Sequence, residues 1–193
     1  MTSLRRSSQE LGKMRKEIFQ EVEIPHGMEA EIDGNIVKIK GNLGENRKKF
    51  NMRKIKIEKK DNKIVVGSKI ATKREKRMIK TIAAHLKNMI KGVEKGFEYK
   101  LKIVYSHFPI TVEIHGNEAL IKNFIGEKVP RKTKILPNVD VKIDKDFIKI
   151  FSSDKESGGQ TAANFEKATR IRLKDRRVFQ DGIFIINKAG KEI

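Results

Sequence analysis

The nine residues Val37 to Glu45 (VKIKGNLGE) lie on Ala119 to Glu127 (ALIKNFIGE) at an offset of 82, and Asn62 to Ser68 lies on Asp146 to Ser152 at 84. An offset this steady over strand-like and turn-like segments points to one unit written twice, so the folding problem reduces to a single half. Within the first half, Val22 and Ile24, Val37 and Ile39, and Ile55 and Ile57 each alternate with charged neighbours. A period of two is the mark of a strand with one buried and one wet face. Turn-forming residues separate these runs: Pro25-His26-Gly27, Asp33-Gly34-Asn35 and Asp61-Asn62. From Ile70 the period changes. Met78, Ile79, Ile82, Ala83, Leu86, Met89, Ile90 and Val93 recur at steps of three and four and predict a helix, opened by the capping pair Thr72 and Glu75.

The second half reads the same way. Strands are predicted around Leu101–Ile103, Ile110–Ile114, Leu120–Ile121, Val139–Ile143 and Phe147–Ile150. A helix is predicted last, opening at Ser157 with Gln160 three residues on, and burying Ala162, Phe165, Ala168 and Thr169. The expected fold class is therefore α+β, two tandem similar units, each a small antiparallel sheet with one helix packed on a face. The expected divisions are a basic N-terminal arm over residues 1–19, a first repeat over 20–95 and a second over 96–193, with Gly96 at the boundary.

Charge now matters. The chain of 193 residues holds 44 basic and 25 acidic residues, a formal net charge of +19. Such a surplus makes a polyanion the expected partner, nucleic acid before membrane. No run of about 18 apolar residues is present, and residues 1–19 lack an apolar signal-peptide core, so a soluble, intracellular protein is expected. The absence of cysteine removes disulfides, thiolate chemistry and cysteine-based zinc sites. The four histidines, His26, His85, His107 and His115, are not at metal-binding spacing, and no carboxylate cluster or nucleophile pair stands out. No enzyme, metal, cofactor or small-molecule substrate is expected.

Basic residues are not evenly spread. Between Lys73 and Lys91 there are seven cations against one acid, Glu75, and five of the seven open the predicted helix, where the macrodipole disfavours them. They either meet an outside anion or keep the outer face wet. Four of the chain's 12 arginines, Arg170, Arg172, Arg176 and Arg177, fall within eight residues. In a chain that otherwise favours lysine, the planar guanidinium suits bidentate phosphate binding and base stacking; the alternative is pairing with Asp175 and Asp181. Lys128, Arg131, Lys132 and Lys134 flank Pro130 as a third basic site or a solvated loop. Gly158-Gly159 permits close approach of a phosphate or forms a flexible turn.

Two segments carry a resemblance. Gly96-Phe97-Glu98-Tyr99-Lys100 running into Val104-Tyr105-Ser106-His107-Phe108-Pro109-Ile110, and Arg177-Val178-Phe179-Gln180-Asp181-Gly182-Ile183-Phe184, are similar to the archaeal and eukaryotic branch of the large-subunit ribosomal protein L-six family. The resemblance covers nearly the whole chain. It implies tandem α+β units, the second contacting large-subunit ribosomal RNA near the sarcin–ricin loop and the stalk base, beside neighbouring large-subunit proteins of the cytoplasmic ribosome. It implies that the arginine cluster and the turn following it face the RNA; together with the glycine pair and the third basic site read above, the expected RNA-binding set is Gly158, Gly159, Gln160, Lys167, Arg170, Arg172, Lys174, Arg176, Arg177 and Phe179, with Lys128, Arg131 and Lys132. Phe179 either anchors its loop or stacks on a base. Lys167 departs from the family pattern, where glutamine is expected. The rival reading is a free RNA-binding regulator or RNA chaperone outside the ribosome.

Overall fold

Lys56–Lys60 (β5) shows how alternation becomes structure: Ile57 is buried opposite Val66, while Lys56 and Glu58 on either side of it face water. The computed structural model describes residues 16–51, 54–172, 174–175 and 177–193. The chain divides into two units, one ending at Glu94 and the other beginning at Lys95.

In the first unit the strands are β1 (Lys16–Glu23), β2 (Glu29–Asp33), β3 (Ile36–Gly41), β4 (Gly44–Lys49), β5 and β6 (Lys63–Ala71), followed by helix α1 (Lys73–Glu94). They form two antiparallel sheets, β1-β6-β5 and β2-β3-β4. Strand β1 begins at Lys16, so the segment 1–19, read as an arm without strand alternation, already contributes residues 16–19 to the sheet. Helix α1 buries Ile79, Ile82, Leu86 and Ile90 against Val22, Val37, Ile39, Ile64 and Val66. Its first turn is capped reciprocally: Thr72 N–H donates to Glu75 Oε2 at 2.9 Å, and Arg74 N–H donates to Thr72 Oγ1 at 3.3 Å. Each fully buried leucine or isoleucine contributes roughly 1.5–3 kcal/mol. That outweighs the cost of each cation at the positive helix end, about 0.3–1 kcal/mol.

The second unit repeats this plan with β7 (Phe97–Val104), β8 (Thr111–His115), β9 (Glu118–Lys122), β10 (Arg131–Lys134), β11 (Val139–Asp144), β12 (Phe147–Ser152) and helix α2 (Lys155–Ala168). The order β1-β6-β5 returns as β7-β12-β11, and β2-β3-β4 as β8-β9-β10. The helix is not last here. Strands β13 (Gly182–Lys188) and β14 (Lys191–Glu192) follow it, and β13 pairs antiparallel with the other edge of β7, so that β7 is central. The apolar run Ile183–Ile186 was not expected to be a strand. It becomes one because β7 offers it an open edge, and Ile183 is buried among Tyr99, Leu101, Ile148 and Phe165. Helix α2 also starts before Ser157. Asp154 is the cap, its carboxylate accepting from the N–H groups of Glu156 and Ser157, so the sequence holds two competing caps and the acid prevails.

Candidate nucleic-acid interface

In α2 the Gly158-Gly159 pair faces the sheet. A Cβ on Gly158 would come within 2.9 Å of the Tyr99 ring and 3.2 Å of Ser152 Cβ, and one on Gly159 within 3.2 Å of Tyr99 Oη. Gly158 is buried and its N–H donates to Asp154 O. Tyr99 O–H donates to Lys155 O at 2.7 Å, and burial pushes its phenol above its ordinary pKa. These glycines let the helix sit down on Tyr99. Asp154 already caps this helix N-terminus, and the pair is helical, packed on Tyr99, and is not a flexible turn. Gln160 is exposed and donates through Nε2 to Asn164 Oδ1 at 2.9 Å.

The opposite end of α2 is different. Arg131, Lys132, Lys167, Arg170 and Arg172 surround one surface cleft of about 380 Å³ with Ala168 at its floor. Charge density picks out Arg131, Lys132, Arg170 and Arg172 in two stretches of sequence about 35 positions apart, while Lys167 enters only with the family resemblance; the pairing of β10 with β9 beside the helix end brings them together. Arg131 works inward. Its guanidinium lies 4.2 Å over the Phe124 ring, holds Glu127 at both carboxylate oxygens, and donates through Nη1 to Ala168 O at 2.8 Å and Arg170 O at 3.4 Å. The hydrogen bond from Arg131 holds the Glu127 carboxyl below its ordinary pKa. A cation bonded to the last helix carbonyls satisfies groups that the helix leaves open and complements its negative end. Arg131 is thus a clamp between loop and helix. Lys132, Lys167, Arg170 and Arg172 are exposed and, among the described residues, have no ion-pair partner. Four unpaired cations around one concavity repel one another, and an outside polyanion relieves that repulsion.

The segment after α2 is tied down by residues that charge counting passed over. Thr169 Oγ1 accepts from Ile183 N–H at 2.9 Å. Asp181, only 1% exposed, accepts from the N–H groups of Ser106 (3.1 Å) and His107 (3.4 Å), and lies 3.3 Å from His107 Nδ1. Burial pushes its carboxyl up, yet the hydrogen bonds from the His107 side chain and the two backbone amides prevail and hold it below its ordinary pKa. Asp181 therefore joins the two segments on which the resemblance rested, and among the described residues it pairs with no arginine. The only signal for it was an acid next to glycine at the end of a basic stretch. Asp175 does pair locally: Arg177 Nη2 donates to it at 2.9 Å and Arg177 N–H at 2.9 Å, while the Arg177 side chain stays 90% exposed. Phe179 is half-buried, stacked on His107 with ring centroids 5.1 Å apart and with Lys174 Nζ 4.5 Å from its centroid. Its ring finds its partners inside the protein and anchors the loop. Lys128 is exposed in the β9–β10 connection and does not line the cleft; Arg176 lies outside the described residues.

A profile of the family described as ribosomal protein L6 matches residues 24–96 and 108–182, one stretch in each unit. The chain belongs to the ribosomal protein L6 family. It is 45% identical over 175 residues to a protein of Methanothrix thermoacetophila named large ribosomal subunit protein uL6, covering 91% of this chain and 99% of that one. Proteins of the same name from Sulfurisphaera tokodaii (47% over 172 residues, 89% and 92% covered) and Methanococcus vannielii (42% over 174 residues, 90% and 96%) are similar over as much of the chain. Among the described residues no helix is long and apolar enough to cross a membrane.

Proposed function

We propose that this L6-family protein is a structural constituent of the large ribosomal subunit, working on the cytoplasmic ribosome. It binds large-subunit ribosomal RNA through its second unit near the sarcin–ricin loop and the stalk base, beside neighbouring large-subunit proteins. The observation that carries this reading is the group of four unpaired cations, Lys132, Lys167, Arg170 and Arg172, gathered around one cleft at the end of α2. They neutralise phosphates, while Arg131, Asp181 and Phe179 fix the segments that bear them. Lys174 and Arg177 extend the positive surface along the following turn. The role is positioning of folded RNA, with no bond made or broken.

Because the chain lacks cysteine, Lys134→Cys supplies a unique tether on exposed β10 for an iron chelate. Hydroxyl radicals from large subunits reconstituted with it should cut the RNA in and beside the sarcin–ricin loop. Cuts confined to other domains of the RNA overturn the location. On sucrose gradients the chain should run with large subunits. A chain that stays at the top of the gradient while binding RNA returns the reading of a free RNA-binding regulator.

A further inference from the structure

A second cleft, of about 550 Å³, lies between the last turn of α2 and the start of β13. Its size suits a small organic ligand. Val104, Thr169, Ile171 and Phe184 give it mainly apolar walls, and Lys167 and Arg170 stand in its lining. The same two cations also line the basic cleft described above. A phosphate held by Lys167 and Arg170 therefore has a cationic concavity on one side and an apolar one on the other.

We propose that this apolar cleft receives one unstacked base of the bound RNA, guanine in preference to the others; the proposal rests on the RNA-binding reading above. Phe179 is already engaged by His107 and Lys174, so the stacking ring is Phe184, which is 38% exposed. Glycine at 182 makes room for it: a Cβ there would come within 3.1 Å of Phe184 Cζ, so the ring lies against bare backbone and keeps its other side open. Recognition of single-stranded RNA commonly combines an aromatic platform with hydrogen bonds to the edge of a splayed base. With Lys167 and Arg170 assigned to the phosphate, the acceptors left for a base edge are Glu166 and Gln180. Glu166 carries a carboxylate, and Gln180, which gives one of its two amide N–H groups to Arg177 O at 3.2 Å, keeps its carbonyl oxygen and one N–H for a ligand. Asp181 is committed to Ser106 and His107. Acceptors match a donor edge, and guanine presents N1–H and the N2 amino group together on its Watson–Crick edge.

The test uses the full chain and three heptanucleotides: UUUGUUU, UUUUUUU and the same heptamer with an abasic central position, titrated by fluorescence anisotropy at one salt concentration. The guanine heptamer should bind about tenfold more tightly than the abasic one, the scale of one base–aromatic stack. Phe184→Ala should erase that difference without weakening the abasic heptamer, Phe184→Leu should restore part of it, and Glu166→Gln should reduce the preference for guanine over uracil. Circular dichroism checks that each variant is folded. Equal binding of the guanine and abasic heptamers, or an equal loss on all three with Phe184→Ala, overturns the base cleft and points to a neighbouring protein's side chain as its occupant. The Arg170→Ala/Arg172→Ala double variant should weaken all three heptamers alike. If it weakens none, the basic face itself fails, a result separate from failure of the base cleft.

Discussion

The two units share a strand order and differ in two connections, and the candidate interface is built from those two differences. In the first unit Ile39 pairs with Asn46; in the second Ile121 pairs with Arg131, so the connection between paired positions lengthens from six residues to nine. Arg131 stands where Asn46 stands in the other copy, and the longer loop brings Glu127 to hold it. The second difference is in the helices. The caps Thr72 and Asp154 are 82 positions apart, yet α1 runs on to Glu94 and α2 stops at Ala168. At that offset the last two turns of α1, residues 87–94, correspond to residues 169–176. The second unit gives up two helical turns for the arginine-bearing segment and then closes the open sheet edge with β13. A duplicated scaffold has thus kept its core and specialised where one copy lengthens a hairpin and unwinds a helix end.

The strongest way to break this comparison is to release the added segment. Asp181→Ala leaves the N–H groups of Ser106 and His107 without their acceptor and should cost about 3 kcal/mol in urea unfolding, the scale of hydrogen bonds to a buried charge. Hydrogen exchange should show Ile183 losing protection while Leu86 in the first unit keeps it. If Leu86 loses protection equally, the segment is not an independent addition. The pH dependence has a definite sign. The Asp181 carboxyl titrates below its ordinary value in the folded state, so its contribution is complete above the unfolded carboxylate range and is lost as pH falls through the folded value. Asp181→Asn should remove that acid-side loss.

Next in size is RNA affinity. Arg170→Ala with Arg172→Ala should weaken ribosomal RNA binding by about 1–3 kcal/mol. Lys87→Ala with Lys91→Ala removes equal charge from the corresponding stretch of α1 and should cost much less, since both lysines are exposed and screened. Filter binding of both variants at one salt concentration decides it. Equal losses mean that affinity follows net charge, which is larger in the first half of the sequence, and not the converging geometry.

A smaller effect separates charge from clamp. Arg131→Lys keeps the charge and loses the fork that spans Glu127, Ala168 O and Arg170 O. It should raise hydrogen exchange at the end of α2 and lower RNA affinity by about 1 kcal/mol. Unchanged exchange there would show that the clamp is dispensable and that Arg131 acts as one more cation.

Both the repeat and the helix faces were legible because burial imposes a period on the sequence: Ile79, Leu86 and Val93 on α1, Ala162 and Phe165 on α2. Strand β13 was not, since Gly182–Lys188 has no clean alternation and owes its pairing to β7, more than 75 positions earlier in the chain. Arg131, Lys132, Arg170 and Arg172 could be picked out by density alone; Lys167 could not. Nor could their division of labour. That Arg131 turns inward depends on a carbonyl at Ala168, and that Asp181 is spent inside the unit depends on amides at Ser106 and His107. The packing role of Gly158-Gly159 was hidden for a related reason: paired glycines suggest a flexible turn until the tyrosine they pack on is located.

The smallest expected effect asks whether the two helix starts are equivalent. Thr72→Ala and Asp154→Ala each remove an N-cap acceptor and should each cost about 1 kcal/mol in urea unfolding. The basic cleft lies at the far end of α2 from Asp154, and Thr72 belongs to the other unit. Thr72→Ala should therefore leave RNA affinity unchanged, and Asp154→Ala should change it less than about twofold, a few tenths of a kcal/mol passed along a helix still held by Phe165 and Ala162. Filter binding of both variants makes the comparison. A tighter complex with Asp154→Ala would mean that the capping carboxylate had been repelling a nearby phosphate, which would bring the start of α2 back into the interface. A large loss would mean that the whole helix, and not its last turn alone, sets the positions of Lys167 and Arg170.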